Sequence, residues 1–191
     1  ATTEIYTLSL HDALPIYLIA MLPKDALTKT MVRQAADALN AVSKSLERLK
    51  AEMRSLASQL PEYPVVMAMR GVGDSLGPQL MAEIGDVTRF AHRGSITAFA
   101  GVDPGSDQSG THEAKSPRTS KSGPPELRKA LFLVMDCLLK TMPADDPVYR
   151  FMDKKRAEGK PYKVYMMASA NKFLRIYYRS EERRVGKECR S

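Results

Sequence analysis

The stretch LTKTMVRQAADALNAVSKSLERLKAEMRSLASQL, residues 27–60, contains neither glycine nor proline and predicts one long helix. Apolar side chains alternate spacings of three and four residues along it: Ala35, Leu39, Val42, Leu46, Leu49, Met53, Leu56 and Leu60. A heptad repeat kept for about three to four repeats is typical of a coiled coil. The alternative is a helix that packs on its own domain. Because so narrow a stripe needs a partner, we favour dimerisation through this helix, which Pro61 and Pro64 end.

Downstream of residue 64 the sequence predicts several short helices and no alternating strands, so the fold class is mainly α. Leu76, Leu80 and Ile84 share one helical face that Gly85 ends, and another short helix is expected over residues 95–100. Three helices then begin at Pro124-Pro125, at Asp145-Asp146-Pro147 and at Pro161. We expect these helices to bury the following side chains: Leu127, Leu131, Val134 and Leu138, and later Val164, Ala168, Phe173 and Leu174.

Both ends of the chain resemble translated sequencing-adapter sequence. The matches are ATTEIYTLSLHDALPI at residues 1–16 and RSEERRVGKECRS at residues 179–191. We interpret both segments as not native and argue function from Tyr17 to Tyr178. The two flanks carry net charges of −2 and +2, so the net charge of +7 is unchanged by setting them aside.

The basic composition favours an anionic partner, and nucleic acid is the partner that fits a chain of this size best. Cys137 is the one cysteine outside the flanks; it cannot form an internal disulfide, and we expect it to be a small buried hydrophobe. Apolar runs are short and interrupted by charges, which predicts no membrane association. Together these features predict a protein of the reducing cytoplasm.

Two segments could carry chemistry. The turn Gly71-Val72-Gly73 fits a helix–hairpin–helix element, in which glycines and a helix N-terminus approach a DNA phosphate; Arg70 precedes it. The alternative is a plain tight turn. The second segment, residues 101–123, predicts a long polar loop. Its serines stand among cations that would stabilise the charge developing when a hydroxyl attacks a phosphodiester, and the alternative is an ordinary solvated loop.

The candidate DNA contacts are the glycine turn and the basic residues in and after this loop: Arg70, Gly71, Gly73, His112, Lys115, Arg118, Lys121, Arg128 and Lys129. A further basic cluster spans residues 154–163. An ordinary solvated charged face is the alternative for each of these residues.

Several short motifs in a fixed order resemble one known family. They are GVG at 71–73, AEIGDV at 82–87, FAGVDP at 99–104, QSG at 108–110, SKSG at 120–123 and LRKAL at 127–131. Over residues 65–178 the chain resembles the C-terminal domain of insertion-sequence transposases of the IS-one-ten family, also described as bridge-RNA-guided recombinases. One departure is Gly123-Pro124-Pro125, since the family usually has Asn or Asp after that glycine.

The resemblance implies a DNA recombinase with two catalytic parts. A RuvC-like domain would bind magnesium through four carboxylates, and the C-terminal domain would supply a serine that becomes joined to DNA. That serine corresponds to Ser109, with Ser120 as the alternative. DNA, a guide (bridge) RNA and further copies of the same chain are the implied partners, the copies meeting through the coiled coil.

We therefore expect a coiled-coil helix at 17–61 and a DNA-binding domain at 62–178 with its serine loop at 101–123. Residues before the coiled coil offer no RuvC-like carboxylates, so we predict no metal site and no cofactor in this chain. It should then bind DNA without cutting it. The rival interpretation is a non-catalytic helix–hairpin–helix module for DNA binding and dimerisation.

Overall fold

The computed structural model describes residues 25–104, 108–109, 112–113 and 119–188. These ranges hold α1 (Ala26–Ala57), α2 (Tyr63–Met67), α3 (Leu76–Ile84), a 3-10 helix (Val87–Arg89), α4 (Arg93–Ala100), β1 (Gln108–Ser109), β2 (His112–Glu113), α5 (Pro125–Thr141), α6 (Pro147–Ala157) and α7 (Tyr162–Glu188). The predicted mainly α class is confirmed. The chain divides into two compact units between residues 51 and 52.

Helix α1 is the long helix that the absence of glycine and proline predicts. Its apolar stripe faces solvent: Leu39, Val42, Leu46, Leu49 and Leu56 are between 49% and 68% exposed. Within this helix, which the structure describes from end to end, Ala57 alone is buried. The helix is therefore amphipathic with an exposed apolar stripe, and its association with a second copy stays a prediction.

Helix α5 lies at the centre of the second unit. Its predicted face of Leu127, Leu131, Val134 and Leu138 is fully buried, together with Ala130 and Met135. The helix packs against α3 and α7. Cys137 is a correction to the sequence analysis, because the structure leaves it half-buried at the edge of this face.

Helix α7 packs against α4, α5 and α6 and closes the core. Phe173 and Leu174 are buried as predicted, whereas Val164 is 49% exposed and Ala168 is half-buried, so the expected burial of these two is wrong. Tyr165, Met166 and Ala170 take their place in the core. The physical reason is the helical period: at about 100° per residue, Val164 and Ala168 lie about 180° and about 140° around the helix from Phe173.

The two flanks interpreted as adapter sequence differ in what the structure covers. Residues 1–16 lie outside the described residues, whereas α7 continues without interruption through Tyr178 to Glu188. Within this extension Glu181 is 2% exposed, and Arg184 forms ion pairs with Glu181 at 2.8 Å and with Glu62 at 3.4 Å. A foldable helix does not decide whether its residues are native, so the adapter interpretation stays a prediction.

Candidate nucleic-acid interface

Segment 101–123 is closed at its base by backbone pairing. Gly101 ends α4 in the left-handed region at φ 63°, which turns the chain away from the helix. The amide of Lys121 then donates to the Gly101 carbonyl at 3.2 Å, and the amide of Ser120 donates to the Asp103 carbonyl at 3.1 Å. Pro104 and Thr119 form an antiparallel bridge one step further out. The two ends of the segment therefore run side by side.

Further along the segment, β1 and β2 form an antiparallel hairpin. Gln108 pairs with Glu113 and Ser109 pairs with His112. The sequence analysis predicted a loop here, and the strands were missed because two-residue strands are too short to show alternation. The backbones of Ser109 and His112 thus lie opposite each other. The candidate contacts Lys115 and Arg118 lie outside the described residues.

Ser120, the alternative serine, is tied into the base of the hairpin. Its hydroxyl donates to Asp103 Oδ1 at 2.9 Å and lies 3.3 Å from the Ser122 hydroxyl. An acceptor carboxylate beside a serine is an arrangement that can raise the nucleophilicity of the hydroxyl, and it can equally hold a turn in place. The sequence analysis missed this role of Asp103, because the two residues are 17 positions apart and only the backbone pairing brings them together.

The glycine of the SKSG motif marks a tight crossing of the chain over the end of α4. A side chain at Gly123 would meet the Phe99 carbonyl oxygen, so the position admits only glycine without rearrangement. The guanidinium of Arg128 donates to the Gly123 carbonyl at 2.5 Å. Arg128, predicted as a DNA contact, thus uses part of its donor set to fix the same crossing. Lys129, one residue on, is exposed.

The Gly71-Val72-Gly73 turn lies between α2 and α3, but α2 has only five residues, and the helix–hairpin–helix element stays a prediction. Gly71 has φ 81°, and a Cβ there would lie 2.9 Å from both Leu138 Cγ and the Val134 carbonyl oxygen of α5. Gly73 has open space around the position of its missing Cβ. Gly71 therefore serves packing, Gly73 is accessible, and the phosphate-binding role of the turn stays a prediction.

Arg70, next to this turn, is exposed and forms an ion pair with Asp145 at 3.1 Å. Both partners face solvent, so the pair holds Arg70 only weakly. A phosphate could therefore compete with Asp145 for the guanidinium. This acidic neighbour, 75 residues away, is a feature that the sequence did not reveal.

The basic cluster at 154–163 surrounds the end of α6. Lys154, Arg156, Lys160 and Lys163 are exposed, while Lys155 pairs with Glu158 at 2.7 Å. The hydrogen bond from Lys155, with the positive charge of Lys155, Lys154 and Lys160, holds the pKa of Glu158 below its usual value. The four exposed cations of this cluster remain candidates for contacts with an anionic partner.

Within the described residues, no three His, Cys, Asp or Glu side chains come together in a way that could hold a metal ion. None of the helices in that same part combines the length with the apolar character that crossing a bilayer requires.

The part of the chain that contains this candidate interface is similar in sequence to known proteins. Residues 63–150, which include the glycine turn and the whole serine hairpin, match the model of the transposase IS116/IS110/IS902 family. The pilin gene-inverting protein of Moraxella bovis is 27% identical over 171 residues, covering 88% of this chain and 49% of that protein. The pilin gene-inverting protein of Moraxella lacunata is 26% identical over 159 residues, covering 81% of this chain and 49% of that protein.

The chain thus spans about half the length of the curated relatives it matches. The family that matches is the one that the ordered motifs resemble. The similarity to this transposase family is carried by residues 63–150, and both relatives are named pilin gene-inverting proteins.

Proposed function

We propose that this chain is the part of a DNA transposase that binds DNA and supplies the serine nucleophile for strand cleavage and transfer. The observation that carries the proposal is the hairpin at 101–123, within the family match. Its base is closed by hydrogen bonds from the amides of Ser120 and Lys121, and Ser109 belongs to the paired strand β1. A segment whose ends are fixed by hydrogen bonds suits a nucleophile that must be held in one position against a DNA backbone.

The proposed step exchanges one phosphoester for another. Ser109 Oγ attacks a backbone phosphorus; a P–Oγ bond forms while one P–O bond of the DNA breaks. The serine proton leaves to a base, and the departing DNA oxygen takes up a proton. Because the bond energy is kept in the protein–DNA ester, a second DNA hydroxyl can reverse the attack and join a new strand without an external energy source.

Positive charge near the hairpin would stabilise the charge that develops on the phosphate oxygens. Lys121 and Lys129 are exposed and suit this role, whereas Arg128 is engaged with the Gly123 carbonyl. His112, Lys115 and Arg118 stay in the proposal on their sequence positions. Magnesium would belong to the RuvC-like part that the family resemblance implies, and the guide RNA is likewise an implied partner.

The exposed stripe of α1 supports the proposal that two copies meet through this helix. In a heptad assignment Leu39, Leu46 and Met53 occupy a positions and Val42, Leu49 and Leu56 occupy d positions. All six are at least 43% exposed, which is the exposure expected of a seam that lacks its second helix. Association would bring two serine hairpins into one assembly.

The decisive experiment replaces single serines in a full-length recombinase that contains this chain. Ser109→Ala should reduce both the yield of the covalent protein–DNA adduct and the rate of strand transfer by at least about 10³-fold. DNA binding should stay intact. Ser120→Ala tests the alternative nucleophile, and Ser122→Ala is the matched control on the same hairpin base. Adducts are counted on denaturing gels, and binding is measured by fluorescence anisotropy.

Two outcomes would contradict the assignment. If Ser120→Ala abolishes the adduct and Ser109→Ala does not, the nucleophile is Ser120. If neither change affects recombination, the non-catalytic interpretation is correct, and the accessible glycine turn at 71–73 becomes the leading functional element. We also expect the 191-residue chain alone to bind DNA without strand transfer in magnesium; transfer by the purified chain would contradict that expectation.

A further inference from the structure

Lys121 has a backbone conformation that favours glycine. Its φ is +52°, in the left-handed region, where the Cβ of an ordinary residue crowds the following carbonyl oxygen. Among the described residues, Met142 at φ +45° is the other non-glycine residue in this region. Both positions therefore carry backbone strain that a glycine would remove.

The surrounding contacts prevent the chain from relieving this strain. The Lys121 amide is bonded to the Gly101 carbonyl at 3.2 Å, and the carbonyl carbon of Lys121 would lie 2.9 Å from a Cβ at Gly101. Two residues later, Gly123 crosses directly over the Phe99 carbonyl. The positive φ at residue 121 is thus imposed by the way the hairpin base crosses the end of α4.

The side chain of Lys121, by contrast, has no structural task in the part of the chain that the structure describes. It is exposed, and no ion pair or hydrogen bond of its ammonium is present there. The hydroxyls of its two neighbours, Ser120 and Ser122, lie 3.3 Å apart. Because the fold imposes this conformation, folding alone would favour glycine at residue 121, and an exposed lysine in its place is a feature expected of function.

The geometry points to Lys121 as a substrate-binding residue: its ammonium holds a nucleic-acid backbone phosphate at the base of the hairpin. This contact is the reason that lysine stands where glycine would be more stable. The inference rests on the proposed function. An ammonium offers three donors to phosphate oxygens, so the contact would be independent of base sequence. It would fix the distance between the bound nucleic-acid strand and β1, which carries Ser109.

Glycine substitution at residue 121 removes both the strain and the charge. Lys121→Gly should raise the Tm by about 1–4 °C, because the strain is relieved. The same change should weaken binding to a mixed-sequence 30-base-pair duplex about fivefold and reduce the slope of log affinity against log salt by about 0.9, because one phosphate contact is lost. Stability and binding thus move in opposite directions.

Three further variants distinguish the effect of the backbone strain from the effect of the charge. Met142→Gly is the matched control and should raise the Tm similarly with no change in binding, since its position ends α5. Lys121→Gln keeps the strain and removes the charge, so it should weaken binding without raising the Tm. Lys121→Arg keeps both the strain and the charge and should bind within about twofold of the unaltered chain.

Each result decides between the proposals. Unchanged binding in the Gly and Gln variants, with normal binding by the unaltered chain, overturns this inference and leaves the proposed function standing. A Gly variant less stable than the unaltered chain also overturns the inference. Absence of any DNA binding by the unaltered chain overturns both the inference and the DNA-binding part of the proposed function.

Discussion

Helices α1 and α5 are built from similar apolar spacing and have opposite surroundings. In α5 the side chains at 127, 131, 134 and 138 are fully buried by α3, α7 and neighbouring segments. In α1 the side chains at 39, 42, 46 and 49 follow the same spacing of three and four residues and are at least 49% exposed. Periodicity therefore predicts the helix and its apolar face in both cases, and only the fold reveals whether the partner belongs to the same chain.

The difference indicates that the two helices are stabilised by different interactions. A helix of α5's length gains most of its stability from the apolar face that it buries. Helix α1 has 32 residues and gains from length and from surface pairs such as Lys50–Glu47 at 3.0 Å, which contribute little individually. Substitutions in the two helices should therefore differ in size and in their dependence on protein concentration.

The largest effect is expected in the core helix. Leu131→Ala removes a fully buried side chain and should lower the free energy of unfolding by about 3 kcal/mol at any protein concentration. Leu133→Ala is the matched control on the same helix, because Leu133 is 42% exposed, and it should change this free energy by less than about 1 kcal/mol. Urea unfolding followed by circular dichroism measures both. Equal effects of the two substitutions would contradict the assignment of the buried face.

The next effect concerns the exposed stripe and depends on concentration. Leu49→Ala should weaken self-association by about 30-fold, since it removes one d-position leucine from each of the two copies and this pair contributes about 2 kcal/mol in total. Lys44→Ala, on the opposite side of the same helix, is the control and should leave association unchanged. Sedimentation equilibrium at several concentrations gives the dissociation constants. A chain that stays monomeric throughout would remove the dimerisation proposal.

Most of the helical framework could be predicted from the sequence, because its signals are local. Proline positions marked the starts of α5, α6 and α7, and Gly85, expected to end α3, follows that helix with φ 65°. Helix α4 begins two residues before the predicted start. Its start was missed because the cap is a histidine: His92 Nδ1 accepts from the amides of Gly94 and Ser95 at 3.1 Å.

Much less of the candidate site could be predicted, because its geometry depends on contacts that are distant in sequence. The motif containing Ser109 and the cations after it could be recognised, whereas the closure of the hairpin base depends on Asp103, Ser120 and Lys121 meeting in space. The crossing of Gly123 over Phe99 follows from the same closure. A local sequence pattern contains no information on contacts between residues that are distant in sequence. The hydrogen bond between Ser120 and Asp103 and the positive φ of Lys121 were therefore missed.

The smallest predicted effect concerns the same amino acid at the starts of two helices. Asp146 accepts from the amides of Val148 and Tyr149 at 2.8 and 2.7 Å and is 9% exposed, so it caps α6 from within the folded unit. Asp25 accepts from the Thr28 amide at 3.3 Å at the exposed start of α1. Both bonds satisfy amides that have no partner inside the helix.

The two caps should differ in their contribution to the free energy of unfolding, because an amide left without its partner is more costly where water cannot replace the lost acceptor. Asp146→Ala should therefore lower the free energy of unfolding by about 1–2 kcal/mol, and Asp25→Ala by a few tenths of a kcal/mol at about the limit of detection. Amide hydrogen exchange resolves the smaller effect: exchange at Val148 and Tyr149 should accelerate strongly in the first variant, and exchange at Thr28 only slightly in the second. If both caps proved equal, the exposed start of α1 would be as well ordered as the packed start of α6, and the contrast between the two regions would be confined to their apolar faces.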